Sequence, residues 1–252
     1  MPPLSSIRVG TGNPGKLREY QAILGELGHE LTTVDAPEPE ETAPDLDGNA
    51  RLKASAYARH AGAVVLAEDA GLVVPALGGL PGVISARFSD CEVDPSTGRV
   101  LSYSASGRPR AALDEANRLR LLELLDAHDG EARRAFFQVV IAVAGPDGAI
   151  LFTASGEAHG RILRAPRGEG GFGYDALFAG DETRGLSFAE VEPALKNAVS
   201  HRRKALEKVR AWLAAQPALP AGPAPPSAPG LPLPCAYLQA PGSAPISPSS
   251  SV

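Results

Sequence analysis

The stretch AVVLAEDAGLVV, residues 63–74, sets two carboxylates, Glu68 and Asp69, in the middle of an apolar run. Residues 63–67 carry no alternating polar side chain, so they read as a strand buried on both faces, the pattern of a sheet covered by helices. Such a strand delivers the residues after it to the rim of a sheet. Glu68 and Asp69, with Ala70 and Gly71 as a turn after them, then make a negative point that a hard divalent cation would neutralise. An ordinary solvated acidic turn would carry the same letters.

Upstream, residues 7–10 form a short strand that runs into TGNPGK, residues 11–16. Asn13 suits a helix N-cap and Pro14 the first helical position, which predicts a helix with Leu17, Tyr20, Leu24 and Leu27 inward and Gly28 at its end. Backbone N–H groups and the dipole at its start, with Lys16 beside them, make an anion site; a plain strand-to-helix connection explains the turn equally well. Residues 10–16 also satisfy the phosphate-loop pattern, except that Leu17 stands where Ser or Thr would hold magnesium. The acidic segment PEPEETAPDLDGNA, residues 37–50, comes next, with Asp47 or Asn49 as the cap of a helix over 50–60 that Gly62 closes. Lys53 lies on one face of that helix, and Glu40 or Glu41 is within reach of the carboxylates beyond the next strand.

Downstream, ALGGLPGVISARF carries two turn signals, and residues 90–110 read as an exposed loop. Residues 113–125 predict an amphipathic helix with Ala116, Leu119, Leu122 and Leu125 inward. Residues 134–144 and 149–158 predict a hairpin across GPDG. PRGEGGFGYDALF, residues 166–178, has glycines that let backbone approach a ligand, Phe172 and Tyr174 as flat apolar faces, and Asp175 as an acceptor. The last helix, 196–213, exposes Lys196, His201 and Arg202 near its start, where they suit phosphates or a base. From Pro217 onward 11 of 36 residues are proline and none is charged, which predicts a disordered or polyproline II tail.

Composition sets the outer bounds. A chain of 252 residues with 44% hydrophobic content can bury a sizeable core. A net charge of −5 argues against a general nucleic-acid or membrane-surface binder. Two cysteines, Cys91 and Cys235, make no disulfide framework, and neither a signal-like start nor a membrane-length apolar run is present, so a cytoplasmic location is expected.

Singly these signals are weak, but their order is specific. TGNPGKLRE, EET, NARLKA, AEDAGL, PGVISARF, GEAHGRI, PRGEGGFGYDALF, FAE and KNAVSHRRKAL resemble the successive motifs of the inosine triphosphate pyrophosphatase family, the non-canonical purine NTP pyrophosphatases. The resemblance covers residues 7–210. It implies an α/β fold, a long mixed central β-sheet flanked by helices, with two lobes and an active-site cleft between them. The catalytic domain would span residues 1–215 and the Pro/Ala/Ser-rich tail 216–252.

The implied activity is magnesium-dependent hydrolysis of ITP, dITP and XTP to monophosphate and pyrophosphate, by a homodimer with one or more Mg2+ per subunit and no nucleic-acid or membrane partner. By motif match, Thr11, Gly12, Asn13, Pro14, Gly15 and Lys16 bind the triphosphate, with Lys53 near it and Ala70 beside it. Glu41 and Asp69 hold the metal, with Glu68 as a further candidate, and Asp69 is the proton acceptor for the attacking water. Phe172, Gly173, Tyr174, Asp175, Lys196, His201 and Arg202 bind the nucleotide, chiefly its base. Glu68, Asp69 and Ala70 stand where the family usually has Asp-Asp-Ser. The competing readings are a phosphate-loop NTPase or kinase, which needs the hydroxyl that Leu17 lacks, and a nucleotide-binding or sensing module with weakened catalysis.

Overall fold

The computed structural model of the protein describes residues 7–26, 31–94 and 99–216. Strand β1 (Ile7–Gly10) leads into helix α1 (Pro14–Glu26), followed by β2 (Leu31–Thr33), α2 (Leu46–Ala61) and the long β3 (Val65–Val73). Two 3-10 segments, Pro75–Leu77 and Gly82–Asp90, lead to the strands β4 (Cys91–Val93) and β5 (Val100–Tyr103), then helix α3 (Arg110–Leu124). The chain continues through β6 (Arg134–Ala144), β7 (Ile150–Ile162), β8 (Phe178–Gly180), α4 (Pro193–Val199) and α5 (His201–Ala215). Six strands form one sheet in the order β2-β1-β3-β6-β7-β8. β1 runs parallel to β2 and β3, whereas β3, β6, β7 and β8 pair antiparallel, so the sheet is mixed, as expected.

The deciding stretch departs from its sequence reading in one respect. Ala70 and Gly71 are not a turn: they pair with Val139 and Gln138 of β6, and β3 runs on to Val73 through both carboxylates. Glycine is required at 71 because a Cβ there would stand 2.2 Å from the carbonyl oxygen of Gly82. Consecutive strand residues face opposite sides of a sheet. Glu68 and Asp69 therefore point away from each other rather than forming one negative point.

Each face has its own cover. On the Glu68 side, Tyr20, Ile23 and Leu24 of α1 and Leu206 and Val209 of α5 pack with Leu66, Val139 and Ile141. On the Asp69 side, Ala50, Ala54, Tyr57 and Ala58 of α2 pack on Val65, Ala67, Val140 and Ala142. A third cluster, around Leu72, Ile84, Phe88, Leu121, Leu177 and Phe178, builds the opposite lobe. Close contact between α5 and β7 depends on Gly156, where a Cβ would meet the His201 carbonyl at 2.1 Å and the Ala205 nitrogen at 2.7 Å. Both are backbone atoms, so Gly156→Ala must part the helix from the sheet; a loss of about 1–3 kcal/mol is expected, read as a lower urea midpoint.

Other differences have local causes. α2 starts a turn earlier than expected because Asp45, not Asp47 or Asn49, is the N-cap, its Oδ1 accepting the Gly48 N–H at 2.8 Å. That leaves Asn49 free for the site. The segment read as a loop over 90–110 contains the β4–β5 hairpin, with Leu101 and Tyr103 exposed. β7 extends to Ile162, and the last helix is two helices broken at Ser200, whose side chain caps α5. α3 is turned from its predicted face: Leu119 is 60% exposed, whereas Asp114, Asn117 and Leu121 are buried. Asn117 accepts the Ser89 N–H at 2.7 Å and donates to the carbonyls of Ser85 and Ala86, so the need to satisfy a buried turn overrides the apolar pattern. Leu27, Gly28 and the proline-rich tail lie outside the described residues. Among the described residues no helix is long and apolar enough to cross a membrane.

Candidate active site

A cleft of about 1210 Å³ separates the lobes. Residues 12–16, 38–44, 69–72, 83–87 and 172–175 line it. The motifs at the two ends of the chain meet here: a Cβ on Gly15 would lie 2.7 Å from Cδ1 of Phe172.

At the start of α1, Asn13 caps as expected, its Oδ1 accepting from the N–H groups of Gly15 at 2.8 Å and Lys16 at 3.2 Å. Those two amides, read from sequence as free for an anion, are thus already partnered. Lys16 is not simply solvated either, since its Nζ is 3.3 Å from Glu68 Oε1.

Beneath it lies a second charged group. Lys53 of α2 places its ammonium 2.7 Å from Glu41 Oε1 and 3.2 Å from Asp69 Oδ1. Asn49 donates to Asp69 Oδ2 at 3.1 Å, and Arg87 reaches Glu41 Oε2 at 2.8 Å. Burial pushes the Asp69 pKa up, Glu41 adds to the rise, and Lys53 and Lys16 oppose it only in part. Burial would also raise Glu41, but Lys53 and Arg87 outweigh it and hold that carboxyl below its usual range. The Lys53 ammonium is stabilised by Asp69 and Glu41 against the cost of burial.

Two carboxylates that already share one buried cation on a cleft wall suit a hard divalent ion with oxygen ligands. Among the described residues no three His, Cys, Asp or Glu side chains form a metal-holding group by themselves. Further ligands would have to come from a phosphate-bearing substrate or water.

Glu68 does not join this pair. It lies across the sheet, 3% exposed, and accepts from Arg202 Nε and Nη2, both at 2.7 Å, and from the Tyr20 hydroxyl at 2.6 Å. Burial opposes its charge, yet Arg202 and Lys16 hold its pKa well below the carboxylate range. A Glu in place of Asp has the length for this grip, and all its acceptor capacity is spent there. As a metal ligand it is misplaced.

Around the Phe172–Asp175 loop the cleft is also charged, and its charged groups are buried. Lys196, His201 and Arg202, expected exposed, are buried. Lys196 joins Glu19 Oε1 at 2.5 Å to Asp175 Oδ2 at 2.7 Å, with its ammonium 4.9 Å from the Phe172 ring centre. Arg202 also bonds Glu19 through Nη1. His201 stacks on Phe137 at 5.1 Å; burial, with Arg202 beside it, pushes its pKa down to about 3, so the ring is neutral, and its buried Nδ1 has no partner. Tyr174 is not a flat face for a ligand. Its ring is in the core and its hydroxyl donates to the Ser85 carbonyl at 3.0 Å.

Lys16, Glu41, Asp69, Phe172, Asp175, Lys196 and His201 therefore line one cleft, with Lys53 buried behind Glu41 and Asp69, whereas Thr11 stands just before the lining residues, its Oγ1 accepting the Asn13 N–H at 3.2 Å. Sequence reasoning passed over Glu19, Asn49 and Arg87. Glu19 had a signal, since it lies four residues before Ile23 on the buried stripe of α1.

Comparison with known proteins gives the family of the chain. The model of the Ham1 family matches residues 7–212. The chain is similar to a dITP/XTP pyrophosphatase of Geobacter sulfurreducens, 42% identical over 84% of this chain and 98% of the relative. A dITP/XTP pyrophosphatase of Anaeromyxobacter sp. is 41% identical over 80% of this chain and 93% of its own. Among solved structures, a HAM1 protein from Coxiella burnetii superposes with a TM-score of 0.68 at 32% identity, covering 84% of this chain and 99% of that one. A nucleoside-triphosphatase, dITP/XTP pyrophosphatase, from Mycobacterium abscessus gives 0.58 at 36% identity over 81% and 98%. Because the family model matches residues 7–212, all the described elements except the last three residues of α5, and relatives at 41% and 42% identity are matched over nearly their whole length, this chain belongs to the Ham1 family.

Proposed function

We propose that the protein is a nucleoside triphosphate pyrophosphohydrolase that converts the non-canonical purine nucleotides ITP, dITP and XTP to the monophosphate and pyrophosphate. The observation that carries this is one cleft lined by Asp69 and Glu41, by the Asn13–Lys16 turn and by the Phe172–Asp175 loop, with Lys53 buried behind the two carboxylates and paired to both. The relatives named dITP/XTP pyrophosphatase support the substrate class.

Asp69 takes the proton of the attacking water. Its raised pKa makes it a better base than a solvated aspartate, and Asn49 and Lys53 fix its orientation. Glu41 and Asp69 would hold Mg2+, which, when bound, neutralises charge developing on the phosphate oxygens. Lys16 and Lys53 supply donors for the leaving pyrophosphate, with Thr11 and the start of α1 beside them. Phe172, Lys196 and His201 bind the base, while Arg202 fixes Glu19 and Glu68 around them.

A donor aimed at the 6-oxo group accepts hypoxanthine and xanthine and is left unpaired by adenine, at a cost of roughly 1–3 kcal/mol. Guanine shares that oxygen, so its rejection belongs to the 2-position. We extend the proposal to a homodimer acting in the cytoplasm, with residues 1–215 as the catalytic unit.

The test is product analysis after incubation with magnesium and ITP, XTP, GTP or ATP. IMP and pyrophosphate from ITP, with little turnover of ATP, are expected; orthophosphate released from ATP would favour a phosphate-loop type of NTPase instead. A pH profile gives a second check. Turnover needs ionised Asp69, whose pKa lies above the usual 3.8. So kcat/KM should fall as pH drops through that raised value and be regained on return to neutral pH.

A further inference from the structure

Helix α3 turns polar residues inward while Leu119 faces solvent, and the nucleotide cleft supplies part of the reason. Gly173, at a φ of 59°, lies between Phe172 and Tyr174. Its N–H donates to Asp114 Oδ2 at 3.1 Å, and its carbonyl accepts from Arg118 Nη1 at 2.7 Å. Residues four apart share one face of a helix, so a single turn of α3 grips both polar groups of one glycine. Asp114 is itself buried and lines the cleft, with Arg110 Nε 2.9 Å from its other oxygen. Asn117, on the same stripe, fixes α3 to the 3-10 segment beneath it, so the grip is made from an anchored support.

What the grip positions is the base end of the cleft. The Phe172 N–H donates to Asp175 Oδ2 at 2.8 Å, the Phe172 ring carries the Lys196 ammonium, and Asp175 pairs with that ammonium. We propose that Asp114 and Arg118 are positioning residues for nucleobase recognition: by holding Gly173 from both sides they fix the Phe172 ring and the Asp175–Lys196 pair in the arrangement a flat purine needs. This rests on the reading of the cleft as a nucleotide site. A glycine-rich loop released from α3 has many conformations to lose when the base binds, so the cost falls on binding rather than on the chemical step.

The experiment compares KM and kcat for ITP with inhibition by inorganic triphosphate, which has the phosphates and no base. Asp114→Ala and Arg118→Ala are each expected to raise KM about tenfold, with kcat within about threefold and triphosphate inhibition unchanged. Asp114→Asn keeps an acceptor oxygen and should bring KM back to within about threefold of the parent. Combining the two alanine variants should add little, because both residues hold the same glycine.

Phe172→Ala, run in parallel, separates two kinds of failure. If it raises KM while Asp114→Ala and Arg118→Ala do not, the positioning role falls and the nucleotide-site reading stands. If none of the three raises KM, both fall. A drop in kcat with equal weakening of triphosphate inhibition would reduce α3 to a structural support and overturn the proposal. Should Asp114→Ala not fold, Arg118→Ala decides alone: an unchanged KM overturns the role.

Discussion

Asp69→Asn is expected to lower kcat for ITP by about 10³-fold or more while the protein stays folded and still binds ITP, because removal of a general base typically costs about 10²–10⁴-fold and a metal ligand is weakened as well. The amide has the shape of the carboxylate and can still take one hydrogen bond. Lys53 keeps its bond to Glu41, so no buried ammonium is stranded. The melting temperature should therefore move by only a few degrees, roughly what loss of one buried hydrogen bond implies. Single-turnover kinetics, together with calorimetric titration of ITP, check the two halves separately. Retained kcat would show that another group takes the proton.

Glu68→Ala has the largest expected effect on stability, about 3–5 kcal/mol, the usual result of breaking a buried ion pair from one side. Arg202, 2% exposed, would keep only Glu19, and the Tyr20 hydroxyl and the Lys16 ammonium would both lose an acceptor. Urea unfolding measures this directly. A solvated metal ligand at position 68 would instead leave stability almost unchanged and reduce magnesium-dependent turnover.

The sign of the pH dependence comes from the same contacts. The Glu68 carboxyl has its pKa held below the usual 4.5 of a glutamate. Its contribution is thus complete above pH 4.5 and is lost as pH falls toward the lowered value. Glu68→Ala should accordingly be less sensitive to acid over that range than the parent.

The two positions also show what could be read from the sequence and what could not. Glu68 and Asp69 are visible as carboxylates in an apolar run, but the strand legible there covers residues 63–67 and stops short of them, whereas β3 spans Val65–Val73. That the strand continues through Ala70 and Gly71 depends on pairing with Val139 and Gln138, residues far along the chain, and on the close approach of Gly82. Local turn letters could not reveal either contact. Once the strand is continuous, its alternation separates the two side chains, giving Asp69 to α2 and Glu68 to α1 and α5.

The start of α1 is legible because Asn13 caps residues only two and three positions on and Pro14 follows it directly. The α3 face is not, because Asn117 and Asp114 are buried by hydrogen bonds to residues 85–89 and 173 that no helical period records. The same holds for Lys196 and Arg202: their charges suggested solvent, and only Glu19, Glu68 and Asp175, brought from three other parts of the chain, make burial tolerable. The order of the motifs, by contrast, depends on none of these contacts and carries the family resemblance by itself.

The most direct test is a structure of Asp69→Asn, full-length, with ITP and Mg2+. We expect the triphosphate between the Thr11–Lys16 turn and Lys53, the ion on Glu41, and hypoxanthine against Phe172 within reach of His201. A polyphosphate seated away from Glu41 and Lys53, or a base outside the Phe172–Asp175 loop, would contradict the proposed function.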